Sequence, residues 1–170
     1  SIKPKEKEME AVAVIASAEV KNGWEKYGNF FLENFIGKSA NSKECSIKNP
    51  EKLHFFFYRK KNKLKITSEE PLMVENRALG YLVHYALDSF IYTYDNQTAF
   101  YTGNPLFEEL TPADDTQKQS WTNNREKAYR GSILHYMRSL YQKRIQEEGF
   151  QTQYILNYMG KDTALPFKNV

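Results

Sequence analysis

The sequence predicts an α+β fold in which an antiparallel β-meander packs against an N-terminal aromatic helix and a long C-terminal helix. Aromatic residues make up 15% of the chain, and such side chains favour pleated, half-buried surfaces. Apolar residues recur at helical spacing at residues 24–35 and again within residues 118–148. Between these two segments, short apolar runs alternate with turn residues, which is typical of strands and hairpins.

The first helix is expected over residues 22–36, and Gly37 is its natural C-terminal stop. Its apolar face consists of aromatic residues at steps of three and four, namely Trp24, Tyr27, Phe31 and Phe35. Residues 1–20 are expected to be a linker or the end of a missing upstream domain. Within them, residues 10–16 alternate weakly and are interpreted as a strand.

The meander is expected between residues 53 and 102. Residues 53–67 predict a β-hairpin whose turn contains Asn62, a residue that tolerates positive φ. Because residues 53–58 are apolar on both faces, we expect this strand to be central, and we expect the same of residues 81–86. The remaining strands are predicted over residues 71–74, 79–86, 90–94 and 98–102. Residues 103–107 are expected to begin a loop.

The long helix is expected over residues 118–148, where the pattern is helical for roughly eight turns. Asp114 and Asp115 are candidate caps, and Gly149 ends the pattern. A last strand is predicted over residues 150–156.

One α+β domain over residues 21–157 follows from this order of elements, with residues 158–170 as a C-terminal tail. The 170-residue length is enough for one domain with its own core.

Charge and cysteine content exclude several classes of protein. The net charge is +3, and residues 1–70, 71–115 and 116–150 carry net charges of +4, −6 and +4. This alternation favours complementarity between segments over one polyanion-binding face, so no nucleic-acid partner is expected. The single cysteine excludes an internal disulfide, and no apolar run is long enough for a membrane-spanning helix.

The chemistry of the long helix centres on Ser132 and His135, with Arg125 about two turns earlier. On a helical wheel these residues share a narrow polar stripe with Trp121 and Ser139. The rest of the helix predicts a core face, formed by Tyr129, Ile133, Leu134, Tyr136, Met137, Leu140, Tyr141 and Ile145. Because a mid-helix serine more often bonds its own backbone than attacks a substrate, a structural stripe is favoured over a catalytic one.

Cys45 is a second candidate nucleophile, with His54, His84 or His135 as its base, although a free cysteine usually behaves as a small buried apolar residue. The three histidines lie far apart and show no metal-ligand spacing, and no glycine-rich phosphate loop occurs. We therefore expect no metal and no cofactor.

Residues 59–65 form a basic hairpin beside aromatic residues, which suggests either a polyanion-binding surface or lysines that protect a strand edge from aggregation. The second interpretation is favoured. A candidate ligand surface is also offered by tyrosines on strand ends and hairpins, namely Tyr58, Tyr92, Tyr94 and Tyr101, because exposed tyrosines stack on sugars or peptides.

Several segments form an ordered series of motifs: Trp24 with residues 31–37, then residues 41–45, 49–50, 70–81 and 101–107, and finally Trp121 with residues 125–132 and 135–140. Together they resemble the region downstream of the carboxypeptidase-regulatory-like β-sandwich in cell-envelope proteins of Bacteroidetes. The resemblance covers roughly residues 10–150. It implies an exported protein that is periplasmic or associated with the outer membrane, and it brings no catalytic residues with it.

The function expected from these observations is a non-enzymatic binding or interaction module of the bacterial cell envelope, with a glycan or an envelope protein as its partner. The alternative is a hydrolase that uses Ser132 and His135, or Cys45. The oligomeric state is left open.

Overall fold

A computed structural model describes residues 19–166. Within that range the fold is α+β, as predicted, with three α-helices and antiparallel strands. The expected linker and the strand interpreted at residues 10–16 lie outside the described residues, apart from residues 19 and 20. The helices are α1 (Gly23–Phe35), α2 (Asp115–Tyr129) and α3 (Ile133–Tyr141). The strands are β1 (Cys45–Ile47), β2 (Leu53–Tyr58), β3 (Lys63–Ser68), β4 (Leu72–Asn76), β5 (Tyr81–Thr93), β6 (Thr98–Glu109), β7 (Gln153–Tyr158) and β8 (Lys161–Pro166).

Contacts within the chain group into two compact units that divide between Lys118 and Gln119, inside the first turn of α2. Unit 1 holds α1 and the six strands β1–β6, and unit 2 holds most of α2, together with α3 and the β7–β8 hairpin. The single domain over residues 21–157 stays a prediction. Residues 161–166 form β8, so the expected tail was wrong over that stretch, where Leu156 pairs with Thr163.

The central strand of the unit 1 sheet is β5, which pairs with one strand along one edge and with two strands along the other. Along one edge β5 pairs with β6 over almost its full length. The other edge pairs with β4 through residues 81–85 and with β3 through residues 90–93. The strand order β1-β4-β5-β3-β2 therefore adds a crossover to the predicted meander. The central position expected for residues 81–86 is confirmed.

Two strand predictions were wrong in extent. Residues 79–86 and 90–94 were expected to be separate strands, but β5 runs through both because a bulge between Leu87 and Ser89 absorbs one extra residue. Residues 103–107 were expected to begin a loop, but they continue β6 to Glu109. The neighbouring β5 is long enough to pair with them, which local sequence does not reveal.

The central position expected for β2 was also wrong, because β2 lies at the end of the strand order. Its free edge is partly covered by the chain before α1, where the Val20 amide donates to the Phe55 carbonyl at 2.8 Å. The hairpin itself is confirmed, with Asn62 at a φ of 44° as its turn residue.

The core of unit 1 lies between α1 and one face of the sheet. Phe31 and Phe90 are fully buried and meet edge to face, with ring centroids 5.1 Å apart. The helix approaches the sheet closely at Gly23, where a Cβ atom would stand 2.6 Å from the Phe55 Cβ atom. The predicted helix and its stop are confirmed, since Gly37 has a φ of 93° and its amide donates to the Leu32 carbonyl.

The long helix expected over residues 118–148 was wrong, because the chain forms two helices there. Gly131 adopts a φ of 78°, which ends α2, and Ser132 takes an extended conformation that begins α3. The N-terminal cap is confirmed at Asp114, whose Oδ1 accepts from the Gln117 amide at 2.7 Å.

The predicted core face of this region was also wrong. Ile133 and Tyr141 are 83% and 90% exposed, whereas the supposed polar stripe supplies the buried residues His135 and Ser139. The wheel groups the residues of α3 correctly, but it cannot show which side of the helix the rest of the chain covers. The loop after α3 then packs on its polar side.

Replacing Phe31 with alanine should lower the free energy of unfolding of unit 1 by about 3–5 kcal/mol, because it empties a fully buried aromatic position. Urea unfolding followed by circular dichroism measures the change. Ile133→Ala is the control, and an equal loss in both variants would contradict the assigned core.

Candidate functional site

The candidate site of unit 2 is centred on His135, which is 8% exposed. Its Nδ1 accepts a hydrogen bond from the Gly131 amide at 3.1 Å, and its Nε2 lies 3.2 Å from Glu148 Oε2. Because Nδ1 is an acceptor in this arrangement, a neutral ring carries its proton on Nε2 and donates it to Glu148. Both ring nitrogens are therefore engaged.

Ser132 is the N-cap residue of α3. Its Oγ accepts from the backbone amide of His135 at 3.1 Å, and neither ring nitrogen is its partner. The structure thus brings Ser132 and His135 together, but as a cap and a buried hydrogen-bonding ring. A nucleophile and base would need the Oγ to face a free ring nitrogen.

The surroundings of His135 are aromatic and charged. Its ring centroid lies 4.9 Å from that of Tyr129 and 4.8 Å from that of Phe150. Glu148 also accepts from Arg144, whose Nη2 lies 2.9 Å from Oε1. These contacts join the end of α2, the start of α3 and the loop that follows α3. The third candidate, Arg125, is half-buried on α2.

Ser132→Ala should lower the stability of unit 2 by about 1 kcal/mol, because it removes the side-chain acceptor for an otherwise unpaired helix amide. Hydrogen exchange of the α3 amides measures the change, and Ser132→Asn, which restores an acceptor, should recover most of it. Unchanged exchange in Ser132→Ala would contradict the assignment of Ser132 as the cap.

Cys45 lies half-buried at the start of β1, and its thiol donates to the Asn41 carbonyl at 3.5 Å. Burial, together with the charge of Glu44, raises the pKa of the Cys45 thiol. In the described part of the chain, the side-chain contacts of the three histidines do not include this thiol. Cys45 therefore resembles a structural cysteine more than an activated nucleophile.

Alkylation of Cys45 by iodoacetamide should be slower at pH 7 than alkylation of glutathione, because a raised pKa leaves less thiolate at a given pH. The rate should rise as the pH approaches and passes the raised pKa. Mass spectrometry of the modified protein gives the rate. If Cys45 is alkylated faster than glutathione at pH 7, the thiol is activated.

The four candidate tyrosines do not form one surface. Tyr92 and Tyr94 face α1 and pack on Phe30, with ring centroids 4.7 Å and 5.9 Å away. Tyr101 also lies on the α1 side and contacts Phe35. Burial raises the pKa of Tyr94, which fits its place at the margin of the core. Only Tyr58 of the four points to the opposite face of the sheet, where it pairs with Lys63.

The surface that sequence reasoning missed is the exposed apolar face of α3. It comprises Ile133, Leu134, Met137, Leu140 and Tyr141, which are 45–90% exposed. Their helical spacing was visible in the sequence, but it was interpreted as a core face. An open groove of about 890 Å³ adjoins this face, and its apolar lining is Tyr136, Leu140, Ile145 and Phe150. Its charged lining residues are Lys143, Arg144 and Glu147.

Among residues 19–166, no cluster of three or more metal-ligating side chains occurs, and no helix is both long and apolar enough to cross a membrane. Comparison with protein-family models, curated proteins and solved structures found no match.

Proposed function

We propose that this protein is a non-enzymatic interaction module of the bacterial cell envelope, and that it binds an envelope protein through the apolar face of α3. The observation that carries the proposal is the inverted burial of that helix. Its polar residues His135 and Ser139 are buried within unit 2, and its apolar residues face outward. Apolar residues that are exposed contiguously mark interaction sites in soluble proteins.

The energy available from this face supports a protein partner. Burying a Leu, Ile or Met side chain contributes about 1.5–3 kcal/mol, and the face offers several such side chains. Part of this energy offsets the freedom lost on association. The adjoining groove extends the contact, since its apolar lining continues from Leu140 to Phe150. The exposed face of α3 and the adjoining groove together form one continuous apolar surface for a protein partner.

The cellular location is proposed from the sequence resemblance to Bacteroidetes envelope proteins. In those proteins an export signal and a regulatory-like domain precede the similar region. An exported, periplasmic or outer-membrane-associated protein would meet its partner there.

The competing hypothesis is a hydrolase that uses Ser132 and His135, or Cys45. It receives less support, because Ser132 serves as a helix cap and both ring nitrogens of His135 have other partners. The Cys45 thiol has a raised pKa. Binding is therefore the function that the geometry supports best.

Placing the photo-crosslinking residue p-benzoylphenylalanine at Met137 should give one discrete adduct with an envelope protein when the native envelope is irradiated. The reason is that Met137 lies in the middle of the exposed face. Leu134→Asp in the same chain should abolish the adduct, because a carboxylate cannot be buried in an apolar contact without a partner. Gel shift and mass spectrometry of the adduct provide the measurement.

The matched control carries the same crosslinker at Gln142, which is exposed just after α3. Equal adducts from both positions, or an adduct that survives Leu134→Asp, would contradict a specific contact. Covalent labelling of Ser132 or Cys45 by an active-site hydrolase probe would favour the enzyme instead.

A further inference from the structure

We infer that unit 1 binds a short acidic oligosaccharide on the face of its sheet that points away from α1, next to the turn between β2 and β3. The ligand class is a sugar chain that carries carboxylates or phosphates. The site combines the cations of residues 59–65 with aromatic side chains of β2. The inference rests on the proposed function in treating the chain as a binding module, but it concerns another unit and another ligand.

The register of the strands places lysines and aromatic rings side by side. Tyr58 is directly opposite Lys63, and Phe56 is directly opposite Lys65. On the next strand, Ile91 is opposite Lys65, and Phe100 of β6 is opposite Ile91. Directly opposed residues of antiparallel strands share one face. One row across four strands therefore contains Phe56, Lys65, Ile91 and Phe100.

The cations of residues 59–65 form a concentrated positive region, with one carboxylate at the turn, Asp95, bonded to the Asn62 side chain at 2.6 Å. Residues 59–65 contain five basic side chains and no acidic one. Within residues 19–166, none of the five makes an ion pair with a carboxylate. Arg59, Lys60 and Lys61 are exposed at the turn, and the two strand lysines are half-buried. An anionic ligand would therefore meet cations that have no ion-pair partner among residues 19–166.

Edge protection does not account for the lysines of β3. Lysines that guard against aggregation occur on edge strands, and β3 is an internal strand with β2 on one side and β5 on the other. Lys63 and Lys65 thus lie where no strand edge needs protection. Their neighbours on the same face include Phe56, Ile91 and Phe100, the last of which is 64% exposed. Apolar and cationic side chains are interleaved on one face.

The size of the positive region favours a short sugar chain over a nucleic-acid strand. Strands rise about 3.3 Å per residue, so the cations between Lys65 and the turn span roughly 10 Å. Beyond them the same face carries His54, which lies 3.5 Å from Glu19 and 3.3 Å from Glu69. These carboxylates would repel a longer polyanion. Single strands usually occupy about 4–16 nucleotides on a binding domain, which exceeds this length.

The aromatic rings supply the second contact that a sugar needs. Phe56 and Tyr58 are half-buried, so each presents part of its ring to the solvent beside a lysine. An apolar ring surface packs against the C–H face of a sugar, while the neighbouring ammonium group contacts the carboxylate or phosphate. Lysine suits the binding of such an anion, because its ammonium group lies on a flexible stem and can donate hydrogen bonds in varied geometry.

The test is binding of the purified protein to oligogalacturonate, in which every sugar carries a carboxylate, measured by isothermal titration calorimetry. The neutral galactose oligomer of equal length should bind at least tenfold more weakly. The double variant Lys63→Gln, Lys65→Gln should lose at least tenfold in affinity, because charge-assisted hydrogen bonds are stronger than neutral ones. Lys21→Gln, Lys43→Gln is the matched control, since it removes the same charge from exposed sites elsewhere.

Equal affinity for the charged and neutral oligomers, or equal weakening in the two double variants, overturns the inference. Tighter binding of oligothymidylate than of oligogalacturonate also overturns it, in favour of nucleic acid. The crosslinking at Met137 is independent of these lysines. Failure of the sugar site would therefore leave the proposed α3 contact standing, and failure of that contact would leave the sugar site standing.

Discussion

The packing of the aromatic face of α1 on the sheet is the interaction on which the rest of unit 1 depends. Phe31 is fully buried against Phe90, and Gly23 lets the start of the helix lie close to Phe55. The aromatic rings meet mostly edge to face or offset, which adds directional preference to the burial of apolar area. This contact decides which face of the unit 1 sheet becomes core.

That choice has a direct functional consequence. Once α1 covers one face, Tyr92 and Tyr94 turn towards it and become part of the margin of the core, and Tyr101 on the same face contacts Phe35. The other face is left with the lysines of β3 and the apolar side chains beside them on the neighbouring strands. The most aromatic surface in the sequence therefore stabilises the fold, and the basic hairpin on the other face is the surface for which we propose a ligand.

In unit 2 the arrangement of the helices depends on the backbone conformation of Gly131. The positive φ of Gly131 ends α2, Ser132 begins α3, and the loop after α3 returns to place Glu148 and Phe150 beside His135. A histidine with both ring nitrogens bonded fixes this arrangement, since each hydrogen bond orients the ring. The apolar residues of α3 are then exposed, and this exposure is the basis of the proposed contact with a partner.

The sequence by itself determined the fold class, the aromatic helix with its glycine stop, the hairpin at Asn62 and the cap at Asp114. Each depends on interactions between residues close in the chain, or on a periodicity that local sequence displays. Only the tertiary structure decided the position of β2, the full length of β5 and β6, and the burial of α3. Those features depend on which distant strand or loop covers a surface. Helical spacing shows that an apolar face exists, but not whether anything in the same chain covers it.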